Sequence, residues 1–182
     1  MTPTPDVHDL LSLAGETVLV TGASGNIGGG IGRRLAEAGA EIVVHFHRDE
    51  ASATSLAEEL GSGLIVQADL SDAHAVDAMF AACGPTMVVN NAAAQPLQAR
   101  DAMRFEDWRA MMSTNLDGAF LVTQRAARSW KDTGGAIVNI ASIEGVDPAA
   151  GHAHYATSKA GLIMFSRAAA LEDGSSGLRV NC

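Results

Sequence analysis

Cysteine is almost absent. Cys83 and Cys182 are the only two in 182 residues, too few for a disulfide framework and without the CxxC or Cys/His spacing of a metal site. Both are read as reduced, structural thiols. Basic residues are scarce as well, 12 Lys and Arg against 21 Asp and Glu for a net charge of −9, and nowhere do they cluster. Without a basic cluster there is no electrostatic footprint for a phosphate backbone, so nucleic acid is not an expected partner. No apolar run reaches the ~20 residues that cross a bilayer. The first residues, Met1 to Asp6, lack the basic and apolar regions of a secretory signal. A cytoplasmic protein with no membrane partner is therefore expected. What the chain does have is 47% hydrophobic residues interleaved with polar ones, enough for the core of one globular domain. Residues 1–12 read as a flexible tail and residues 13–182 as that domain.

Short β-branched runs read as strands at Thr17–Thr21, Glu41–Phe46, Gly63–Ala68, Thr86–Asn90, Ala136–Ile140 and Leu178–Asn181. Helical patterns fill the gaps. The first starts near Asn26 with Ile27, Ile31 and Leu35 on one face, and others run over Glu50–Leu60, Asp72–Ala82 with Ser71 as N-cap, Phe105–Trp130 and Ala153–Glu172. Parallel strands need crossover helices, and the crossovers are right-handed. The alternation thus predicts an α/β fold: a doubly wound parallel sheet in three layers, of Rossmann type.

The first strand runs into Gly22-Ala-Ser24-Gly25-Asn26-Ile27-Gly28. A glycine-rich turn between strand and helix suits a dinucleotide, because Gly22 permits a tight turn, Gly28 permits close helix–sheet packing, and the free N–H groups of the helix start face a pyrophosphate. Gly29, Gly30 and Gly32 follow inside the helix, where each costs roughly 0.8–1 kcal/mol relative to Ala, and nothing in the sequence accounts for them. The second strand ends in His45-Phe46-His47-Arg48-Asp49. In such folds an acid there would bind a free ribose 2′-hydroxyl and a basic residue a 2′-phosphate; a solvated charged loop is the plain alternative. His45 and His47 share a strand face, but without a third ligand no metal is expected. Polar groups also close the third strand (Asp69-Leu70) and the fourth (Asn90-Asn91-Ala92-Ala93), at the carboxyl ends where open α/β sheets bind ligands. Farther on, Tyr155 and Lys159 stand four apart on one helix face, and an adjacent ammonium favours a phenolate. The nearby His152, His154 and Glu144 read as satisfied or solvent-facing groups, with His152 or Glu144 as possible walls of a substrate cleft. Trp108, Met111 and Met112 read as core.

Together these segments resemble the short-chain dehydrogenases/reductases of about 250 residues, across Leu13 to Cys182. The turn is similar to the family's Thr-Gly-x-x-x-Gly-x-Gly, with Asn26 where the middle glycine is expected; Asn enters the left-handed region readily. Asp69-Leu70 resembles the Asp-Val/Leu pair facing the adenine, Asn90 to Ala93 the Asn-Asn-Ala-Gly segment beside the cofactor, and Tyr155-x-x-x-Lys159 the catalytic core. The resemblance implies Tyr155 as general acid/base, Lys159 on the nicotinamide ribose, Ser142 on the substrate carbonyl and Asn115 in a proton relay. It implies cofactor contacts from Gly22, Ser24, Asn26, Ile27, Gly28, His47, Arg48, Asp69, Leu70, Asn91, Ala92, Tyr155 and Lys159. His45 to Arg48 resembles the His-Tyr-His-Arg of the NADPH-dependent pteridine reductases, so the implied cofactor is NADP(H), with NAD(H) second. The substrate would be a small carbonyl or alcohol, with 3-oxoacyl thioesters, sugars, steroids and pteridines as its classes.

Relative to that family the last strand and the substrate-covering helices are expected to be absent after Cys182. A dinucleotide-binding or interaction protein without turnover is the alternative this leaves. The helices at Phe105–Trp130 and Ala153–Glu172 resemble those that pair between subunits in the family, which implies a homo-oligomer.

Overall fold

A computed structural model of the chain describes residue 6, residues 10–61 and residues 64–182. Most of the expected tail over residues 1–12, and Gly63 of the third expected strand, lie outside the described residues. Among the described residues six strands form one sheet: β1 (Thr17–Val20), β2 (Glu41–Phe46), β3 (Ile65–Gln67), β4 (Met87–Asn90), β5 (Gly135–Asn139) and β6 (Leu178–Asn181). Their order is β3-β2-β1-β4-β5-β6, every pair parallel, which is the dinucleotide-binding order of the Rossmann fold. Helices α1 (Asn26–Glu37), α2 (Glu50–Glu59), α3 (Ala73–Cys83), α4 (Phe105–Met112), α5 (Gly118–Ser129) and α6 (Ala153–Asp173) make the crossovers.

Residues 42–46 of β2 are all buried, as an interior strand of a doubly covered sheet requires. Successive side chains point to opposite faces, so Leu19 and Val43 join a core with Phe80 of α3, Val122 of α5 and Ala169 of α6. Val18, Val20, Ile42 and Val44 join another with Ala53 and Leu56 of α2. This is the expected three-layer arrangement. The chain reverses its direction of winding between β1 and β4, so their carboxyl ends part and leave a crevice.

Three expectations are corrected. Ile27 is 67% exposed, and α1 instead buries Gly28, Gly29 and Gly32. Added Cβ atoms at Gly29 and Gly32 would lie 3.3–3.8 Å from Arg33, Ala23, Leu56, Leu60 and Ile42. Ile31 and Leu35 pack against the core beside these glycines as expected, and of the glycines in α1 only Gly28, with a Cβ position 2.5 Å from the Gly22 carbonyl oxygen, is required by close approach. The N-cap of α3 is Asp72, which accepts from the His74 N–H at 2.8 Å, in place of Ser71. Finally, Phe105–Trp130 is not one uniform helix: a π-helical turn over Ser113–Asp117 separates α4 from α5.

Candidate active site

The β1–α1 turn is held from below. Gly22 has φ +63°, a backbone few other residues adopt, and a Cβ there would meet the Ala92 Cα at 2.9 Å. Gly28 is tighter still, with a Cβ position 2.5 Å from the Gly22 carbonyl oxygen and 2.6 Å from the Asn91 amide nitrogen. Asn26 is the first residue of α1, and no described non-glycine residue has positive φ; the left-handed role its side chain suggests is not used. No side chain caps α1 and no acid sits in its first turn. The positive end of the helix and its unpaired N–H groups therefore face open space.

That space is a cleft of about 790 Å³. At one end are Gly22, Ser24, Asn26, Ile27 and Gly28, at the lip His47 and Arg48, along one wall Asn91 and Ala92, and at the far end Tyr155 and Lys159. A second cavity, of about 290 Å³, shares His47, Arg48 and Ala92 with the cleft and adds Asp69 and Leu70. All the expected cofactor contacts thus fall on one continuous surface at the carboxyl edge of the sheet.

The polar groups are closely tied. Asn91 donates its side-chain amide to the Thr21 and Gly22 carbonyls at 2.9 and 3.2 Å, and the Thr21 hydroxyl accepts from the Asn91 and Ala92 N–H groups at 2.9 and 3.1 Å. Asp69 accepts from the Ser71 hydroxyl and N–H; these bonds hold its carboxyl below the ordinary value, with His47 and Arg48 adding to them. Asp49 caps α2 by accepting from the Ser52 N–H at 3.0 Å.

Tyr155 and Lys159 are buried on the first turns of α6. The Lys159 Nζ donates to the Ile140 carbonyl, just past β5, at 2.6 Å, and stands 5.8 Å from the centre of the Tyr155 ring. Burial pushes the Lys159 ammonium below its ordinary pKa. Ser142 lies two residues beyond Ile140, outside the walls of the cleft, where its hydroxyl accepts from the Glu144 N–H at 3.2 Å and caps a 3₁₀ turn over Ile143–Gly145. A Cβ at Gly145 would come within 3.0 Å of the Lys159 carbonyl carbon, so that glycine lets the Ser142 turn lie against α6.

Asn115 sits in the π-helical turn, 2% exposed, and also lies behind the cleft wall. Its amide binds Ala94 twice, accepting from the N–H at 2.8 Å and donating to the carbonyl at 2.9 Å, and reaches the Ser158 hydroxyl at 3.1 Å. The segment leaving β4 is thereby fastened to α6. His152 is satisfied by Glu144, Nδ1 to carboxylate at 2.9 Å, and its ring centre is 5.8 Å from that of Tyr155. His154 departs from expectation: it is 1% exposed, and neither ring nitrogen has a hydrogen-bond partner among the described residues. Met111 is core as expected, whereas Met112 and Trp108 are half-buried. Two contributors stand outside the expected set, Thr21 and His45. A histidine inside a Val/Ile strand was the signal for the second; for the first it was its place as the threonine that opens the Thr-Gly-x-x-x-Gly-x-Gly turn. Among the described residues no group of three His, Cys, Asp or Glu side chains is placed to hold a metal, and no helix is long and apolar enough to cross a membrane.

Comparison with known proteins agrees with this geometry. The family model for short chain dehydrogenases matches residues 16–182. A 3β-hydroxysteroid dehydrogenase of Eggerthella lenta is 35% identical, over 93% of this chain and 69% of its own. A 3-oxoacyl-(acyl-carrier-protein) reductase of Chlamydia muridarum is 37% identical, over 93% of this chain and 73% of its own. A solved short-chain dehydrogenase/reductase of Mycobacterium marinum superposes with a TM-score of 0.90 at 32% identity, covering 97% of this chain and 76% of the other.

Proposed function

The chain belongs to the short-chain dehydrogenase family, and from that premise we propose that it transfers hydride between a nicotinamide dinucleotide and a carbonyl or secondary alcohol, with Tyr155 as general acid and base. One observation carries the reading: a single cleft joins the uncapped start of α1 to the buried Tyr155–Lys159 pair. The turn fits a pyrophosphate, since it offers N–H groups, the positive end of a helix and no competing carboxylate.

Gly22, Ser24, Asn26, Ile27 and Gly28 would hold the diphosphate, Asp69 and Leu70 the adenine, Asn91 and Ala92 the middle of the dinucleotide, and Lys159 the nicotinamide ribose. The bound nicotinamide supplies or accepts the hydride. Ser142, just beyond the cleft wall, accepts from the Glu144 N–H and keeps its own proton to donate to the carbonyl oxygen of a substrate that reaches past that wall, and Tyr155 would give that oxygen a proton in reduction and take it back in oxidation. Lys159, its Nζ 5.8 Å from the Tyr155 ring centre, stands beside that proton transfer. Asn115 serves this set by fixing Ala94 against α6.

NADP(H) is the preferred cofactor, with NAD(H) second, because His47 and Arg48 stand at the lip and the acid beside them is engaged in capping α2. The relatives include a steroid dehydrogenase and an acyl thioester reductase at similar identity, so identity does not choose a substrate. The Glu144–His152 pair beside the Tyr155 ring gives the substrate end a polar wall. Both relatives are oxidoreductases by name, and the alternative of a binding protein without turnover draws no support from them. We also propose a cytoplasmic homo-oligomer.

The test is fluorescence titration with NADPH and NADH, then a screen of carbonyl compounds for cofactor oxidation. Tyr155 is the chain's only tyrosine, so Tyr155→Phe removes a single, spectroscopically distinct phenol. It should lower turnover by about 10²–10⁴-fold with dinucleotide affinity kept. An unchanged rate would remove Tyr155 from its role, and absence of dinucleotide binding would remove the function.

A further inference from the structure

His45 interrupts the apolar run of β2, the strand between β1 and β3. It is 1% exposed, and both ring nitrogens are engaged. Nδ1 lies 2.9 Å from the Gly22 backbone nitrogen, and Nε2 lies 3.1 Å from the Ala68 carbonyl oxygen. An N–H only donates and a carbonyl only accepts, so the tautomer follows: Nδ1 is bare and accepts, Nε2 carries the proton and donates. The backbone carbonyl of His45 also accepts from the Ala23 N–H at 3.0 Å. One residue thus fastens two successive amides of the glycine turn.

The two side-chain partners belong to different ends of the site. Gly22 begins the turn beneath the start of α1, and Ala68 precedes Asp69 and Leu70 in the adjoining cavity. His45 itself reaches both cavities. An apolar residue in its place would leave the Gly22 N–H without this acceptor and the Ala68 carbonyl without this donor, and a buried polar group deprived of its partner is costly.

We propose that His45, as the neutral Nε2–H tautomer, is a positioning residue that fixes the spacing between the pyrophosphate turn at Gly22 and the adenosine corner at Ala68–Asp69. Burial favours the uncharged ring and pushes its pKa down to about 4, so the tautomer persists throughout the neutral range. The inference rests on the dinucleotide reading above.

Two measurements test it. Long-range ¹H–¹⁵N spectra of the imidazoles should show His45 protonated at Nε2 alone, and an Nδ1–H tautomer would overturn the proposal. Dissociation constants for NADPH, NADH and adenosine 2′-monophosphate should then be compared among the unmodified chain, His45→Phe and His45→Gln, with folding checked by circular dichroism. His45→Phe should weaken both dinucleotides about ten- to hundredfold. Adenosine 2′-monophosphate has no 5′-phosphate to seat on the turn, so its affinity should change less than about threefold on the same scale. Glutamine, with an acceptor and a donor, should recover most of the loss. A merely structural role predicts lower stability with unchanged affinity of the folded protein, or equal losses for all three ligands, and either result overturns the proposal. Should His45→Phe not fold, the tautomer and His45→Gln decide: near-native affinity together with the Nε2–H form supports it. If the unmodified chain binds neither dinucleotide, the underlying reading fails and this inference with it. Binding that survives His45→Phe unchanged defeats this inference alone.

Discussion

Arg48 stands exposed past the end of β2, at the lip of the cleft, while Asp49 spends a carboxylate oxygen on the first turn of α2. Arg48 brings a positive charge to the lip beside the Asp49 and Asp69 carboxylates, and the proposed preference for NADP(H) rests on its pairing with a 2′-phosphate. One charge-assisted contact is worth roughly 1.5–3 kcal/mol, so Arg48→Ala should weaken NADPH by about 10- to 100-fold and leave NADH nearly unchanged. Equal losses for both cofactors, or tighter NADH binding by the unmodified chain, would reverse the preference. His45 makes a separate prediction about pH. Its ordinary value of 6.5 falls to about 4 in the fold, chiefly through burial, opposed by the bond to Ala68 and aided slightly by His47. Between those two values the unfolded chain binds the extra proton and the folded chain does not, so stability rises with pH across the window. At 1.36 kcal/mol per unit, about 3 kcal/mol is lost on going from pH 6.5 to 4. Carboxylates held low, such as Asp69 and Glu59, begin to lose their contribution only near the acid end of that range and lose most of it below. Thermal melting should show the slope between pH 6.5 and 4, and His45→Gln should flatten it. A profile that is flat across that window in the unmodified chain would contradict the lowered value.

At the scale of elements, α1 shows where sequence reading succeeds and where it stops. Its start at Asn26 was legible because the strand before it and the glycine turn both punctuate the chain; β2 and β6 were legible at both ends for the same reason. Its buried face was legible only in part: Ile31 and Leu35 pack against the core as their spacing implies, whereas Ile27 is exposed and the buried Gly28, Gly29 and Gly32 complete the face without side chains that periodicity could count. Paired substitutions separate the two kinds of glycine. Gly28→Ala puts a methyl 2.5 Å from the Gly22 oxygen and 2.8 Å from the Ala23 Cα, an overpacking expected to cost about 1–3 kcal/mol and to spoil the turn. Gly30 is exposed with nothing within 4 Å of an added Cβ, so Gly30→Ala should stabilise by about 0.4–1 kcal/mol. Chemical denaturation of the two variants checks both signs, and a stabilised Gly28→Ala would refute the packing argument. The π-helical turn was hidden for another reason: its extra residue per turn leaves no mark in composition, yet it accompanies the inward placement of Asn115. The Tyr155–Lys159 pair was legible because both residues lie on one regular helix. His45 was seen as half of a histidine pair and weighed for metal, since its partners, Gly22 and Ala68, are brought to it only by the sheet order.

For the molecule as a whole, the open question is what meets the outer surface of α5 and α6. These helices have 12 and 21 residues, lengths of about 18 and 31 Å at 1.5 Å per residue. Between them runs a groove of about 520 Å³ lined by Phe120, Ala127, Phe165 and Ala169, where the two phenyl rings meet edge to face at 5.8 Å. Phe120, Met164 and Leu171 are 43%, 61% and 86% exposed, a density of large apolar groups that marks interaction surfaces. A pair of helices of this length is able to bury the ~1,000 Å² or more that a specific interface needs. Opposing this is the net charge of −9 on each copy, a repulsion that added salt screens. Sedimentation velocity should therefore show a homodimer or larger assembly whose dissociation constant falls as salt rises from about 0.01 to 0.15 M, where the Debye length shrinks from 30 to 8 Å. The double substitution Phe120→Arg and Met164→Lys should give a folded monomer with dinucleotide affinity intact, because neither residue lines the cleft. A monomeric unmodified chain at tens of micromolar, or an assembly indifferent to that double substitution, would show that this face is not where copies of the chain meet.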